Sequence, residues 1–304
     1  MIAAVTGGTG FIGRHLVRRL LDEPGVTEVR VLDNLFRGGP PETCLPGDPR
    51  VRFSRGDIRD PEAVRALLDG AETVFHLAAQ SNVLGSVTDI DYSFTSNVAG
   101  TFNVLKAAAN ARRVVVASSR EVYGEPEDLP VPESAALAPK NAYGASKMAA
   151  EAYCRAFAAQ GLGVSVVRMA NVYGPGDKDR VIPLFCSRAL SDEPLLIYGG
   201  GQVIDFVPVG LTCEALLRAA QLDLDGPVNI GSGRGTSLRE LAGRVAACLP
   251  DRRVETSILP PRGPEVVRFV ADTRRMRDLL GIEPPDDPLA ELPEVVASFA
   301  EEPA

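Results

Sequence analysis

The sequence predicts an α/β protein: a parallel, doubly wound sheet with a smaller C-terminal α/β lobe. Three observations carry this. Short β-branched runs alternate with helix-periodic stretches through the first half, the rhythm of βαβ units. The strand segments are apolar without alternation, as strands buried on both faces are. A glycine-rich turn, TGGTGFIG at 6–13, joins the first strand to the first helix.

Taken in order, IAAVT (2–6) reads as a strand and FIGRHLVRRLLD (11–22) as a helix. VRVLD (29–33) and VRFSRGD (51–57) are the next strands. PEAVRALLD (61–69) is a helix with proline at its start, where the missing N–H would have had no partner in any case. TVFHLAA (73–79) is a strand, 93–111 a long helix, and RVVVASS (113–119) a strand. An alanine-rich helix over 142–161 is closed by glycine. Residues 164–176 run from a strand into a Pro/Gly turn. The rhythm then loosens. Three glycines at 199–201 mark a loop, 228–233 a short strand and turn, and 237–249 a helix led by serine. The expected division is 1–170 and 171–304, with some later segments returning to the first unit.

The chain has 304 residues, 45% of them hydrophobic, which is enough for a sizeable core. Its net charge of −8 argues against nucleic acid or an anionic membrane as partner. The five cysteines show no CxxC or metal spacing and read as reduced thiols in a cytoplasm. With only His15 and His76, a histidine triad or a His-rich metal site is not expected. The N-terminus runs directly into an apolar strand rather than a leader pattern, and no apolar run has the roughly 20 residues of a spanning helix.

Two motifs carry chemistry. Gly8, Gly10 and Gly13 fit GxGxxG, and Gly7, Gly10 and Gly13 fit GxxGxxG, between a strand and a helix. Glycine permits the tight turn and lets a pyrophosphate approach the helix N-terminus. Asp33 closes the second strand, where a carboxylate binds both ribose hydroxyls and repels a 2′-phosphate, so NAD is favoured over NADP. Arg14 and Arg37 weaken that preference slightly. Asp57 and Ile58 are placed to bracket an adenine. The same stretch also reads as a helix cap with Asp60 and Pro61. The second motif is Tyr143 and Lys147 in YGASK, at i and i+4 on one helix face, with Ser119 upstream. A phenol is a poor base at pH 7. A nearby ammonium and a hydroxyl that shares the proton would make it a usable one.

TGGTGFIG, VLDNLFRG, GDIRD, HLAA, NVAGTFNVL, SSREVYG, YGASK, NVYGPG, VNIGSG and RGPEVVRFVAD follow one another along the chain. In that order the chain resembles the extended short-chain dehydrogenases/reductases, the NAD-dependent nucleotide-sugar epimerase/dehydratase group, over nearly its whole length. The resemblance implies a Rossmann fold. Its dinucleotide contacts fall on Gly7, Gly10, Phe11, Ile12, Gly13, Asp33, Asn34, Asp57, Ile58, Leu77, Ala78, Ala79, Asn97, Tyr143 and Lys147. It implies Tyr143 as the base at the sugar 4-hydroxyl, Ser119 on the same oxygen, and Lys147 on the nicotinamide ribose. Ser81, Ser119, Arg120, Asn171, Val181, Arg262 and Glu265 would hold the nucleotide sugar. It also implies a homodimer, pairing helices 93–111 and 142–161 as a four-helix bundle.

Two departures matter. Ile204 stands where many relatives carry an arginine before Asp205, and the usual acid after the next strand is missing from VPVGLTCEA. The nucleotide end is therefore expected to be held differently. Arg120-Glu121 occupies the place of small or neutral residues in 4-epimerases and of Asp-Glu in 4,6-dehydratases. Glu121 would serve as a C5 base, whereas a guanidinium cannot be an acid and would instead grip a carboxylate or phosphate. An Arg-Glu ion pair is the alternative. The expected function is an NAD-dependent nucleotide-sugar 4-epimerase acting through a transient 4-keto sugar and enzyme-bound NADH. The runner-up is a dehydratase or a UDP-glucuronate-type decarboxylase using Glu121. A non-catalytic NAD sensor is disfavoured because both Tyr143 and Lys147 are present.

Overall fold

A computed structural model describes residues 1–261, 263 and 265–301. Along the chain lie β1 (Ile2–Thr6), α1 (Phe11–Asp22), β2 (Glu28–Asp33), α2 (Pro41–Cys44), β3 (Val51–Arg55), α3 (Pro61–Leu68) and β4 (Thr73–His76). Next come α4 (Val83–Thr88), α5 (Ile90–Phe94), a π-helical turn (Thr95–Gly100), α6 (Thr101–Ala107), β5 (Arg113–Ser119), a 3₁₀ turn (Arg120–Tyr123), α7 (Ala142–Ala158) and β6 (Val164–Met169). The remainder is β7 (Asn171–Tyr173), α8 (Val181–Leu190), β8 (Leu195–Tyr198), β9 (Val203–Pro208), α9 (Val209–Gln221), β10 (Val228–Ile230), β11 (Gly235–Ser237), α10 (Leu238–Ala247), β12 (Thr256–Leu259), α11 (Arg274–Leu280) and α12 (Leu292–Glu301).

Among the described residues seven strands form one sheet in the order β10-β6-β5-β4-β1-β2-β3. Every pairing in it is parallel, as the apolar runs of the inner strands implied, while the edge strand β3 alternates and is partly exposed. The order reverses between β1 and β4, which opens a crevice at the carboxyl ends of the strands. One face is covered by α1, whose Leu16, Val17 and Leu20 are fully buried, together with α9 and α11. Each such leucine contributes about 1.5–3 kcal/mol by leaving water. The other face carries α3, α6 and α7. A separate core joins α8, α10 and α12 to β8 and β9. Two small sheets, β11-β9-β7 and β12-β8, complete that side. β10 lies late in the chain but pairs with β6 in the large sheet, and α9 packs on α1.

Residues 93–111 differ from the single helix expected. They divide at the π turn, and the last helical residue is Ala107. Gly100 sits against Ile58, where a Cβ would meet the isoleucine Cδ1 at 2.6 Å. Thr101 Oγ1 donates to the Asn97 carbonyl at 2.6 Å, giving the displaced acceptor a partner. The capping that starts α10 is local: Ser237 Oγ accepts from the Glu240 N–H at 3.1 Å. Asp205, fully buried on β9, accepts from the N–H groups of Ser232, Gly233 and Ala271 and from the Ser232 hydroxyl, at 2.7–3.1 Å. It ties β9 to the loop after β10 and to the chain preceding α11. His76 lies between Thr6 Oγ1 at 2.8 Å and Thr101 Oγ1 at 2.9 Å, and burial pushes its pKa down to about 3, so it is a neutral packing residue. No helix among the described residues is long and apolar enough to cross a membrane.

Candidate functional site

Two cavities of about 370 Å³ and about 460 Å³ lie side by side at the carboxyl ends of the strands. Both are walled by Ser118, Tyr143, Met169 and Arg180, so they meet at the tyrosine. Every residue expected to touch a dinucleotide lines the first cavity except Asn97. That asparagine is buried behind the wall. Its Oδ1 accepts from Gln80 N at 2.8 Å, and its Nδ2 donates to Gln80 O at 3.0 Å and Ser146 Oγ at 2.9 Å. It fastens the loop after β4 to α7.

The glycine turn fits a phosphate cradle. A Cβ on Gly13 would overlap the Gly7 carbonyl oxygen, and one on Gly7 would meet Ala78 N at 2.7 Å. Only glycine lets α1 start this close to the turn. Asp33 is aimed by two backbone donors, Thr9 N at 3.0 Å and Leu35 N at 2.9 Å. Asp57 accepts from Asn34 Nδ2 at 2.8 Å and twice from the Arg59 side chain, which offsets burial and takes its pKa down to about 2. Asp60 caps α3 through Glu62 N at 2.9 Å, so the helix-cap geometry and the cavity wall coexist in this stretch.

On α7 the buried residues Tyr143, Lys147 and Glu151 follow one another at i, i+4 and i+8, and Ala150 and Cys154 pack beside them. Asn141 starts the helix, its Oδ1 accepting from Gly144 N at 2.8 Å. Gly144 allows the helix to touch the 3₁₀ turn, because a Cβ there would overlap the Glu121 carbonyl oxygen. Lys147 Nζ donates to Ala117 O at 2.8 Å, and burial lowers its pKa to about 8. Burial pushes the Tyr143 phenol above its usual value. A hydrogen bond from Ser119 and the charges of Arg180 and Arg120 oppose that, while Glu121 reinforces it. The cations that act on the phenol therefore come from beyond α7, while Lys147 Nζ lies 6.0 Å from the ring centre.

Ser81, Ser119, Arg120, Glu121, Asn171, Val181 and Glu265 all line the second cavity, and Arg262 lies outside the described residues. The Arg120-Glu121 ion pair is present, at 3.0 Å. Glu121 is buried, and its other oxygen accepts from Asn141 Nδ2 at 2.8 Å. Arg37, Arg180 and Asp177 also stand at the cavities without having been expected as site residues. Asp177 and Arg180 sit in the loop between β7 and α8, where no periodicity marks them. Burial raises Asp177 to about 6.

Behind this wall Glu151 and Arg168, both buried, are bonded bidentately at 2.7–3.3 Å. Glu151 also accepts from Ser118 Oγ at 2.5 Å, and Arg168 donates to Tyr123 Oη at 2.8 Å.

The family model "NAD dependent epimerase/dehydratase family" matches residues 3–231. A UDP-glucose 4-epimerase from Mycolicibacterium smegmatis is 35% identical over 93% of this chain and 94% of its own. A dTDP-glucose 4,6-dehydratase from Actinoplanes is 34% identical over 97% of this chain and 96% of its own. The solved UDP-glucose 4-epimerase of Thermus thermophilus, in complex with NAD, superposes with a TM-score of 0.90 at 33% identity, covering 99% of both chains.

Proposed function

Since the chain belongs to the NAD-dependent epimerase/dehydratase family, and is thus an enzyme of that class, we propose that it inverts C4 of a nucleotide-linked sugar. NAD, when bound, supplies a hydride-accepting carbon and a positive charge on its nicotinamide ring. The glycine turn, Asp33 and the wall from Leu77 to Ala79 would hold it, with Lys147 toward its ribose. Tyr143 would take the proton from the 4-hydroxyl and return it later, with Ser119 sharing that proton. Arg180 and Arg120 favour the phenolate and so make the buried phenol a better base. In this reading residues 1–170 carry the dinucleotide. The small sheets with α8, α10 and α12 close over the sugar nucleotide.

The observation that carries epimerisation over elimination is the environment of Glu121. Both its oxygens are engaged, one by Arg120 and one by the residue that caps α7. Neither oxygen is thus presented without a donor to a C5 proton. The test is incubation with UDP-glucose, UDP-N-acetylglucosamine, UDP-glucuronate and dTDP-glucose, followed by mass analysis of the products. A stereoisomer of unchanged mass is expected. Loss of water or CO₂ would overturn this reading.

Lys147 sets a pH limit. Its folded-state pKa is lowered to about 8, so the ammonium is present below that value and lost above it. kcat/KM is expected to fall as pH rises through 8. A profile flat to pH 10 would remove the charge from the mechanism.

We also propose a homodimer. Ile90, Phe94, Phe102 and Tyr153 are exposed on α5, α6 and α7, the helices that a four-helix interface would use. Sedimentation should give twice the chain mass, and Phe102→Asp should shift it toward the monomer.

A further inference from the structure

We infer that the sugar is a uronic acid, its ring carboxylate held by Arg120. This rests on the C4 reading above and names its substrate class.

The cavity beyond Tyr143 is lined by Arg37, Arg120, Arg180 and Arg188. Three of these are engaged at the rim. Arg37 pairs with Asp179 at 3.3 Å, and Arg188 with Glu193 at 3.1 Å. Arg180 bonds the Val172 carbonyl at 3.0 Å and faces Asp177 at 3.5 Å. Arg120 differs. One terminal nitrogen meets Glu121, and among the described residues its Nε and other terminal nitrogen have no partner. Its side chain is only 14% exposed, and the guanidinium lies over the Phe269 ring at 5.9 Å. Glu121 on one edge and Phe269 on one face therefore fix the fork before a ligand arrives.

A guanidinium that keeps N–H groups free suits a carboxylate, which accepts charge-assisted hydrogen bonds from them. Position identifies which carboxylate. Ser119 and Tyr143 address O4, and Arg120 is the next residue along the same rim. C3 and C5 both flank C4, and of the two only C5 carries an exocyclic carbon, so a carboxylate held beside O4 is the C5 substituent. Glu121 opposes a second anion, while Arg180 lines the same cavity and adds a second cation to it. A neutral hydroxymethyl group would displace water from Arg120 while offering a single uncharged acceptor in place of a charge-assisted one, a difference that discriminates against a plain hexose.

The test separates binding from turnover. Tyr143→Phe protein loaded with NAD is titrated with UDP-glucuronate and with UDP-glucose, which it should bind without converting. The uronate is expected to bind roughly 10- to 100-fold more tightly, the range of a charged hydrogen-bonded pair. Adding Arg120→Met should bring the ratio close to one, while Arg120→Lys, which keeps the charge and loses the fork, should leave an intermediate ratio. Equal or weaker binding of the uronate overturns the inference, as does a preference that survives Arg120→Met. The C4 reading is judged apart, on wild-type enzyme: uronate preference with a product that has lost CO₂ would sink that reading and leave the carboxylate site standing.

Discussion

Tyr143→Phe is expected to lower kcat by about 10²- to 10⁴-fold, the usual contribution of a positioned proton-transfer group. The phenol is buried where the two cavities meet. The ring itself is retained, and α7 stays anchored by Asn141 through Gly144 N and Glu121. Unfolding temperature and bound NAD, measured after denaturation, should therefore stay close to wild type while turnover collapses. Activity within tenfold of wild type would assign the proton to another group. Arg180→Met should act in the same direction through the phenol, with a smaller effect, because it removes one of two opposing cations rather than the base.

The second large effect concerns stability. Glu151→Ala would leave Arg168, only 4% exposed, as a buried cation without its bidentate partner. Breaking a buried pair from one side costs about 3–5 kcal/mol. The melting temperature should drop on the order of 10 °C. The partnered replacement Glu151→Leu with Arg168→Met should lose far less, since it removes both charges and leaves apolar volume. Tyr123 and Asn229 set a floor to that recovery, as Arg168 also donates to the tyrosine, which in turn donates to Asn229 at 2.7 Å. Equal melting temperatures for the single variant and wild type would mean that the pair is solvated in solution.

Much of the architecture could be read from local pattern. Apolar runs located β1 to β6, and the glycine turn with Asp33 located the crevice, because both follow from periods of a few residues and from backbone sterics. The i, i+4 spacing placed Tyr143 and Lys147 on one face for the same reason. The break at Thr95–Gly100 was not legible. Gly100 meets Ile58 there, a contact between residues distant in sequence that no helix period reports. The short strands β7, β8, β9, β11 and β12 were not read separately, since they lie outside the regular strand–helix alternation and their partners are remote in sequence.

By itself, then, the sequence determined the doubly wound sheet, the dinucleotide turn and the spacing of the serine, tyrosine and lysine. Tertiary structure decided the electrostatics. Arg180 arrives from the loop after β7 to act on Tyr143, and Glu151 closes on Arg168 from β6. Glu121 is drawn into a bond with the cap of α7 while keeping its ion pair with Arg120, which lines the cavity. Charge interactions act through space and through burial, and chain order encodes neither, so these partners emerged only when the strands were laid side by side.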